Sequence, residues 1–114
     1  MSYNIKVSPN FKKAFKSLHK RYKSIDSDLF KLIESLTETP KQGVALKNSC
    51  YKIRLAISSK NKGKSGGARV ITYVLVTQEL VILLDIYDKS DRESISDHEL
   101  DELINNIPDD LLDE

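Results

Sequence analysis

The side chains in this chain with the means to do chemistry are mostly cations. Lys52 and Arg54 alternate along CYKIRLAIS, and Arg69 sits in ARVITYV. Lys60, Lys62 and Lys64 lie in the Gly/Lys stretch between these runs, and Lys89 and Arg92 follow the next apolar run. From Glu38 to Glu79 there are eight Lys/Arg and no intervening Asp or Glu. Positive charge without internal counter-ions calls for an external anion, and phosphate is the usual one. For Lys89 and Arg92, ion pairs with the acidic C-terminal segment are an equally good reading. For Lys52, Arg54 and Arg69 phosphate binding is preferred, because cations on a strand face need a reason to be there.

Other chemistries fit less well. The stretch SSKNKGKSGG contains Gly63-Lys64-Ser65, but Ser58 stands where a nucleotide-binding P-loop needs its first glycine. The stretch also leads into a strand instead of a helix, so no helix N-terminus would meet a phosphate. What remains is a lysine loop suited to gripping a nucleic-acid backbone; a solvated loop with no partner is its plain rival. His98 with Asp97, Glu99 and Asp101 reads as a helix start, so no metal site and no cofactor are expected. Cys50, the single cysteine, excludes an internal disulfide and reads as a structural thiol. His19 borders an apolar stripe and reads as packing or surface.

At 114 residues, 39% hydrophobic and 31% charged, the chain is expected to form a single domain over 1–114. Its net charge of +1 conceals a split. Residues 1–75 hold 16 Lys/Arg against 4 Asp/Glu, a net of +12, and residues 76–114 hold 2 against 13, a net of −11. A polyanion-binding body with an acidic C-terminal segment is one reading, and mutual neutralisation within the fold is the other. No run is long and apolar enough to span a membrane, and the N-terminus lacks a secretory h-region; a cytoplasmic protein is expected.

The elements that must position the cations follow from periodicity. Tyr3, Ile5 and Val7 alternate as a short strand. Ser8-Pro9 opens a helix whose stripe is Phe11, Phe15, Leu18 and Tyr22. Ser24 or Asp26 caps a second helix with Leu29, Leu32, Ile33 and Leu36, stopped at Thr39-Pro40. The short link makes the two helices antiparallel. Residues 40–49 read as a loop. Tyr51, Ile53, Leu55 and Ile57 then face one way, with Lys52 and Arg54 on the other. Ala68–Val76 and Leu80–Tyr87 are apolar on both faces and read as central strands joined by a hairpin. Alternation leaves open whether Arg69 shares the face of Lys52 and Arg54. Ser96-x-x-Glu99 is a capping box opening a helix with stripe Leu100, Leu103, Ile104 and Ile107, ended by Pro108. The tail DDLLDE reads as mobile. The fold class is α+β: a small antiparallel sheet, made of an N-terminal strand plus a three-strand meander, against a helix pair, with an acidic C-terminal helix and tail at about 96–114. That helix is expected to pack near the cationic sheet and partly shield it.

This order of elements, with YKIRL at 51–55, GKSGGARVITYV at 63–74 and ILLDIYDKSD at 82–91, resembles the RelE/ParE superfamily of type II toxins, in its RelE and HigB-like branch. The resemblance implies a metal-independent mRNA endonuclease working in the ribosomal A site. It also implies a cognate antitoxin as partner, a helix-turn-helix protein encoded alongside. Carried over, Lys52 and Arg54 match the paired cations of the family's strand, Arg69 the arginine on the scissile phosphate, and Lys89 a further catalytic cation. Lys60, Lys62, Lys64 and Arg92 are then RNA-binding. Two departures stand out: Ser96 lies where the branch often has a C-terminal tyrosine, with Tyr87 inside the last strand, and Arg54 cannot lose a proton. The alternatives are inhibition of DNA gyrase, as in the ParE branch, and a catalytically silent nucleic-acid-binding module.

If lysines release counter-ions from phosphates, log K for single-stranded RNA falls linearly with log salt, by about 0.7 per contact. Replacing Lys60, Lys62 and Lys64 by alanine should then lower that slope by about two units, with magnesium making no difference. Filter binding across a salt series checks this, and an unchanged slope assigns the loop to solvent.

Overall fold

The computed structural model describes residues 2–60 and 66–112. Among them the order is β1 (Asn4–Val7), α1 (Pro9–Arg21), α2 (Ile25–Glu38), β2 (Val44–Ala45), β3 (Cys50–Leu55), β4 (Ala68–Leu75), β5 (Leu80–Asp88), α3 (Asp97–Asn105) and α4 (Asp109–Leu112). A single 3₁₀ turn, Ser58–Lys60, follows β3. The described strands form one sheet in the order β1-β5-β4-β3-β2. The expected α+β architecture holds, with two refinements. The sheet is mixed, because β1 runs parallel to β5, and Val44–Ala45 inside the expected loop pairs antiparallel with Tyr51 and Lys52. Alternation predicts a strand but carries no information about the direction of its neighbour.

The sheet separates two apolar layers. On one face Val70, Val74, Val81, Leu83 and Ile86 meet Phe11, Leu18, Ile25, Leu29, Leu32 and Leu36 from α1 and α2. On the other, Cys50, Ile71, Ile82 and Leu84 meet Leu100 and Ile107, with Leu103 and Ile104 partly buried beside them. The acidic helix α3 therefore packs on the sheet face opposite the helix pair. The described part of the tail read as mobile, Asp109–Leu112, instead forms α4, tied to β1 by Lys6 Nζ donating to the Leu111 carbonyl at 3.0 Å. Its two leucines supply the reason, since both pack against the second apolar layer.

β5 carries an irregularity that the sequence does not announce. Ile71 pairs with Asp85 but Thr72 pairs with Leu83, so Leu84 is an extra residue in the ladder. The start of α1 takes up its backbone oxygen: Ser8 Oγ donates to the Leu84 carbonyl at 3.2 Å and Asn10 Nδ2 at 2.9 Å. Ser8 Oγ simultaneously accepts from the Phe11 amide at 3.1 Å, capping α1 above Pro9. One hydroxyl thus closes a helix and holds a bulge, using its donor and its acceptor separately.

Ser8→Ala should destabilise the fold by about 1–3 kcal/mol, since a buried carbonyl loses a donor as the helix loses its cap. Ser96→Ala removes a cap alone and should cost about 0.5–2 kcal/mol. Midpoints of urea unfolding, with the m-value unchanged, check the ordering.

Candidate functional site

The register settles what alternation leaves open. Arg54 pairs directly with Arg69, and Arg69 directly with Tyr87. Directly opposed residues share a face, so Arg54, Arg69 and Tyr87 form a row across β3, β4 and β5. Lys52 lies two residues along β3 on that same face, opposite Ile71. The row runs from solvent inward: Arg54 is exposed, Arg69 is 4% exposed and Tyr87 6%. Two guanidinium groups placed opposite each other repel, and an anion between them would relieve this. Among the described residues neither Lys52 nor Arg54 forms an ion pair with a carboxylate. Arg69 Nη1 donates to the Ala68 carbonyl at 3.1 Å, which helps to fix its plane.

Arg92 joins this face from the turn after β5. Its guanidinium lies 4.9 Å from the centroid of the Tyr87 ring and donates to Glu99 Oε2. Glu99 is held by the capping box of α3: its Oε1 accepts from the Ser96 amide at 3.0 Å, and its own amide donates to Ser96 Oγ at 3.1 Å. The Ser96 amide first, and then Arg92, hold the Glu99 carboxyl below the usual range. Beneath lies Asp85, whose carboxyl burial raises, against the Ile86 amide, Arg92 and Asn10. The Tyr87 hydroxyl is itself buried and has no hydrogen-bond partner among the described residues. A hydroxyl left so costs about 1–3 kcal/mol. Burial raises the Tyr87 phenol above its ordinary range, opposed by the charges of Arg92 and Arg69.

The other expected residues fall elsewhere. Lys60 points to the helix side: its Nζ donates to Asp88 Oδ1 at 2.9 Å and lies 5.3 Å from the Tyr22 ring centroid. With its ammonium committed there, Lys60 is separated from the Arg54 row, and its structure supports a structural role better than RNA contact. Lys62 and Lys64 lie outside the described residues. Lys89 is exposed just past β5, its amide donating to the Gly67 carbonyl at 3.0 Å. A groove of about 520 Å³ lies between β3 and α2 on the helix-pair side of the sheet, lined by Ile53 and Leu55 with Lys31, Leu32 and Ser35, and bordered by Lys52 and Arg54. Cys50 is fully buried, its thiol pushed up to about 12 by burial and then by Asp101, so it is no nucleophile. Among the described residues no three His, Cys, Asp or Glu are grouped to hold a metal ion, and no helix is long and apolar enough to cross a membrane.

The sequence reading passed over Asp88. Its side chain is fully buried and also accepts from Tyr22 Oη at 2.7 Å, Arg21 Nη2 at 3.2 Å, the Ser90 amide at 2.9 Å and Ser90 Oγ at 2.8 Å. An acid within a strand-end motif gives no sign of this, because apart from Ser90 its donors come from distant parts of the chain.

The family profile described as RelE toxin of RelE / RelB toxin-antitoxin system matches residues 10–110. The chain belongs to the RelE toxin family. No curated protein is similar enough in sequence to match. Among solved structures, a double arginine mutant of E. coli toxin RelE in the free state is similar with TM-score 0.61 and 19% identity, over 95% of this chain and 100% of that one. The intact E. coli RelBE toxin-antitoxin complex gives TM-score 0.56 and 20% identity, over 76% and 96%. The isolated E. coli RelE toxin gives 0.55 and 18%, over 91% and 98%. These likenesses establish the RelE fold, and the family match makes the chain a type II toxin.

Burial would push the Asp88 carboxyl up, but Lys60, the Ser90 amide, Tyr22 and the Ser90 hydroxyl outweigh it and hold it well below the usual range. A depressed folded pKa stabilises the fold above the unfolded value of about 3.9 and loses that contribution as pH falls through the folded one. Asp88→Asn should therefore be less stable at neutral pH by about 3–5 kcal/mol, with a weaker loss of stability on acidification below about pH 4. Urea unfolding over a pH series measures both.

Proposed function

We propose that this toxin cuts ribosome-bound mRNA by turning the ribose 2′-hydroxyl against its own 3′-phosphate. The carrying observation is the cationic row on one sheet face, with Lys52 and Arg54 in no ion pair among the described residues and Arg69 buried beside them. Membership of the RelE toxin family supports the substrate class. The reaction makes a 2′,3′-cyclic phosphate and a free 5′-hydroxyl, and the two phosphate oxygens gain charge on the way. Arg54 and Arg69 meet that charge with two permanently ionised forks, already positioned before the reaction starts. Lys52 alone among these side chains can shed its own proton and, as the neutral amine, take the 2′-proton, and it stands two residues from Arg54 on the same face. A cognate antitoxin partner is supported by the family's toxin–antitoxin description and by the RelBE complex of similar fold. It would silence the toxin by covering this cationic face.

Single-turnover cleavage of ribosome-bound mRNA tests the proposal. Arg69→Ala should lower the rate by about 10²–10³, the usual effect of removing one stabiliser of transition-state charge. Lys52→Arg should retain RNA binding and lose cleavage, because charge is kept and the exchangeable proton is not. Full activity in Lys52→Arg would remove lysine from the base role, and wild-type protein that breaks DNA with gyrase but leaves mRNA intact would overturn the reading.

A further inference from the structure

The reaction has a second proton to place, and the cationic row contains a group suited to supply it. Tyr87 lies in register with Arg69, which is in register with Arg54. Its hydroxyl is buried and has no partner among the described residues, and its ring lies under the Arg92 guanidinium. Phenylalanine would fill the same space without a buried polar atom, so packing does not explain the oxygen. We propose that Tyr87 is the general acid of this toxin, donating its phenolic proton to the departing 5′-oxygen of the RNA.

The step balances. Lys52, as its neutral amine, takes the proton of the 2′-hydroxyl and becomes the ammonium, the 2′-oxygen bonds to phosphorus and the bond from phosphorus to the 5′-oxygen breaks. The electron pair leaves with the 5′-oxygen, which takes the proton of Tyr87. The tyrosinate is held between Arg69 and Arg92 until solvent reprotonates it. Burial keeps the resting phenol protonated, which suits a donor and disfavours a base. The leaving alkoxide is far more basic than a phenolate, so the transfer runs downhill. Arg92 supplies the cover. Its guanidinium over the ring is tethered only to a carboxylate at the rim, Glu99, among its described hydrogen bonds. A bound phosphate competes for that guanidinium and draws it off the ring, opening the hydroxyl to the leaving group. Tyr87 belongs to β5 and stands nine positions before Ser96, so the assignment comes from register and an unpartnered hydroxyl.

This inference rests on the RNA-cleaving reading, and one experiment separates the two. Single-turnover cleavage is measured on ribosome-bound mRNA with either the ordinary 5′-oxygen or a bridging 5′-sulfur at the cut linkage. A thiolate leaves without a proton. Tyr87→Phe should slow the ordinary substrate by about 10²–10⁴ and cut the sulfur substrate as fast as wild type. The wild-type rate should also fall at alkaline pH as the phenol ionises, a limb absent from the variant. Equal slowing on both substrates makes Tyr87 structural, and no slowing on the ordinary one removes it from the reaction; either overturns the inference and leaves the RNA-cleaving reading standing. If wild type cuts neither substrate, the reading itself falls and takes the acid role with it.

Discussion

The carbonyl oxygen of Leu84, bound by Ser8 and Asn10 at the start of α1, is the contact on which the arrangement of this protein turns. Leu84 is the extra residue of β5, and one extra residue reverses the facing of everything after it. By simple alternation Tyr87 would share the side of Val81 and Leu83, against the helix pair. With the bulge it stands beside Arg69 instead, while Ile86 joins the helix-side core. Asp88 moves the opposite way, from the face of Ile82 to the side where Arg21 and Tyr22 of α1 meet it. A single backbone irregularity thus assembles the cationic row on one face and the buried carboxylate hub on the other.

The charge division of the chain is resolved unevenly, and that unevenness has a functional meaning. The acidic segment meets cations of the basic body at its edges: Arg21 bonds Asp88 and Asp91, Lys47 lies near Asp97 and Asp101, and Lys60 reaches Asp88. Among the described residues Lys52 and Arg54 make no such pair. Both readings of the charge split therefore apply, in different places. Neutralisation stabilises the frame, while Lys52 and Arg54 lie on the sheet face that β3 shares with Arg69. Surface pairs of this kind add little stability singly, whereas the Asp88 cluster is buried and strongly hydrogen-bonded.

α3 couples frame and site. Its apolar stripe closes the second core layer, and its capping glutamate also orients Arg92 over Tyr87. The Ser-x-x-Glu pattern is common to many helix starts. Here the second carboxylate oxygen is turned to use, so a local stability device also sets the geometry of a guanidinium near the phosphate face.

Much of this was legible in the residues themselves. Period-2 and period-3.6 patterns identify β1, β3, β4, β5, α1, α2 and α3, because side chains must alternate or stripe to bury one face. The chemistry of Lys52, Arg54 and Arg69 is also a local property, since residue type alone fixes charge and proton exchange. Tertiary structure decided the rest. The parallel pairing of β1 and the short β2 depend on which neighbour arrives, and α4 on apolar contacts made by Leu111 and Leu112 with distant strands. Alternation on β5 gives the wrong face for Tyr87 and Asp88 beyond the bulge, because the extra residue is held by side chains seventy-odd positions away, at Ser8 and Asn10. Lys60 reads as a loop cation and becomes a half-buried partner for the same reason: its counter-ion lies on another strand, and only folding brings a buried carboxylate within 2.9 Å.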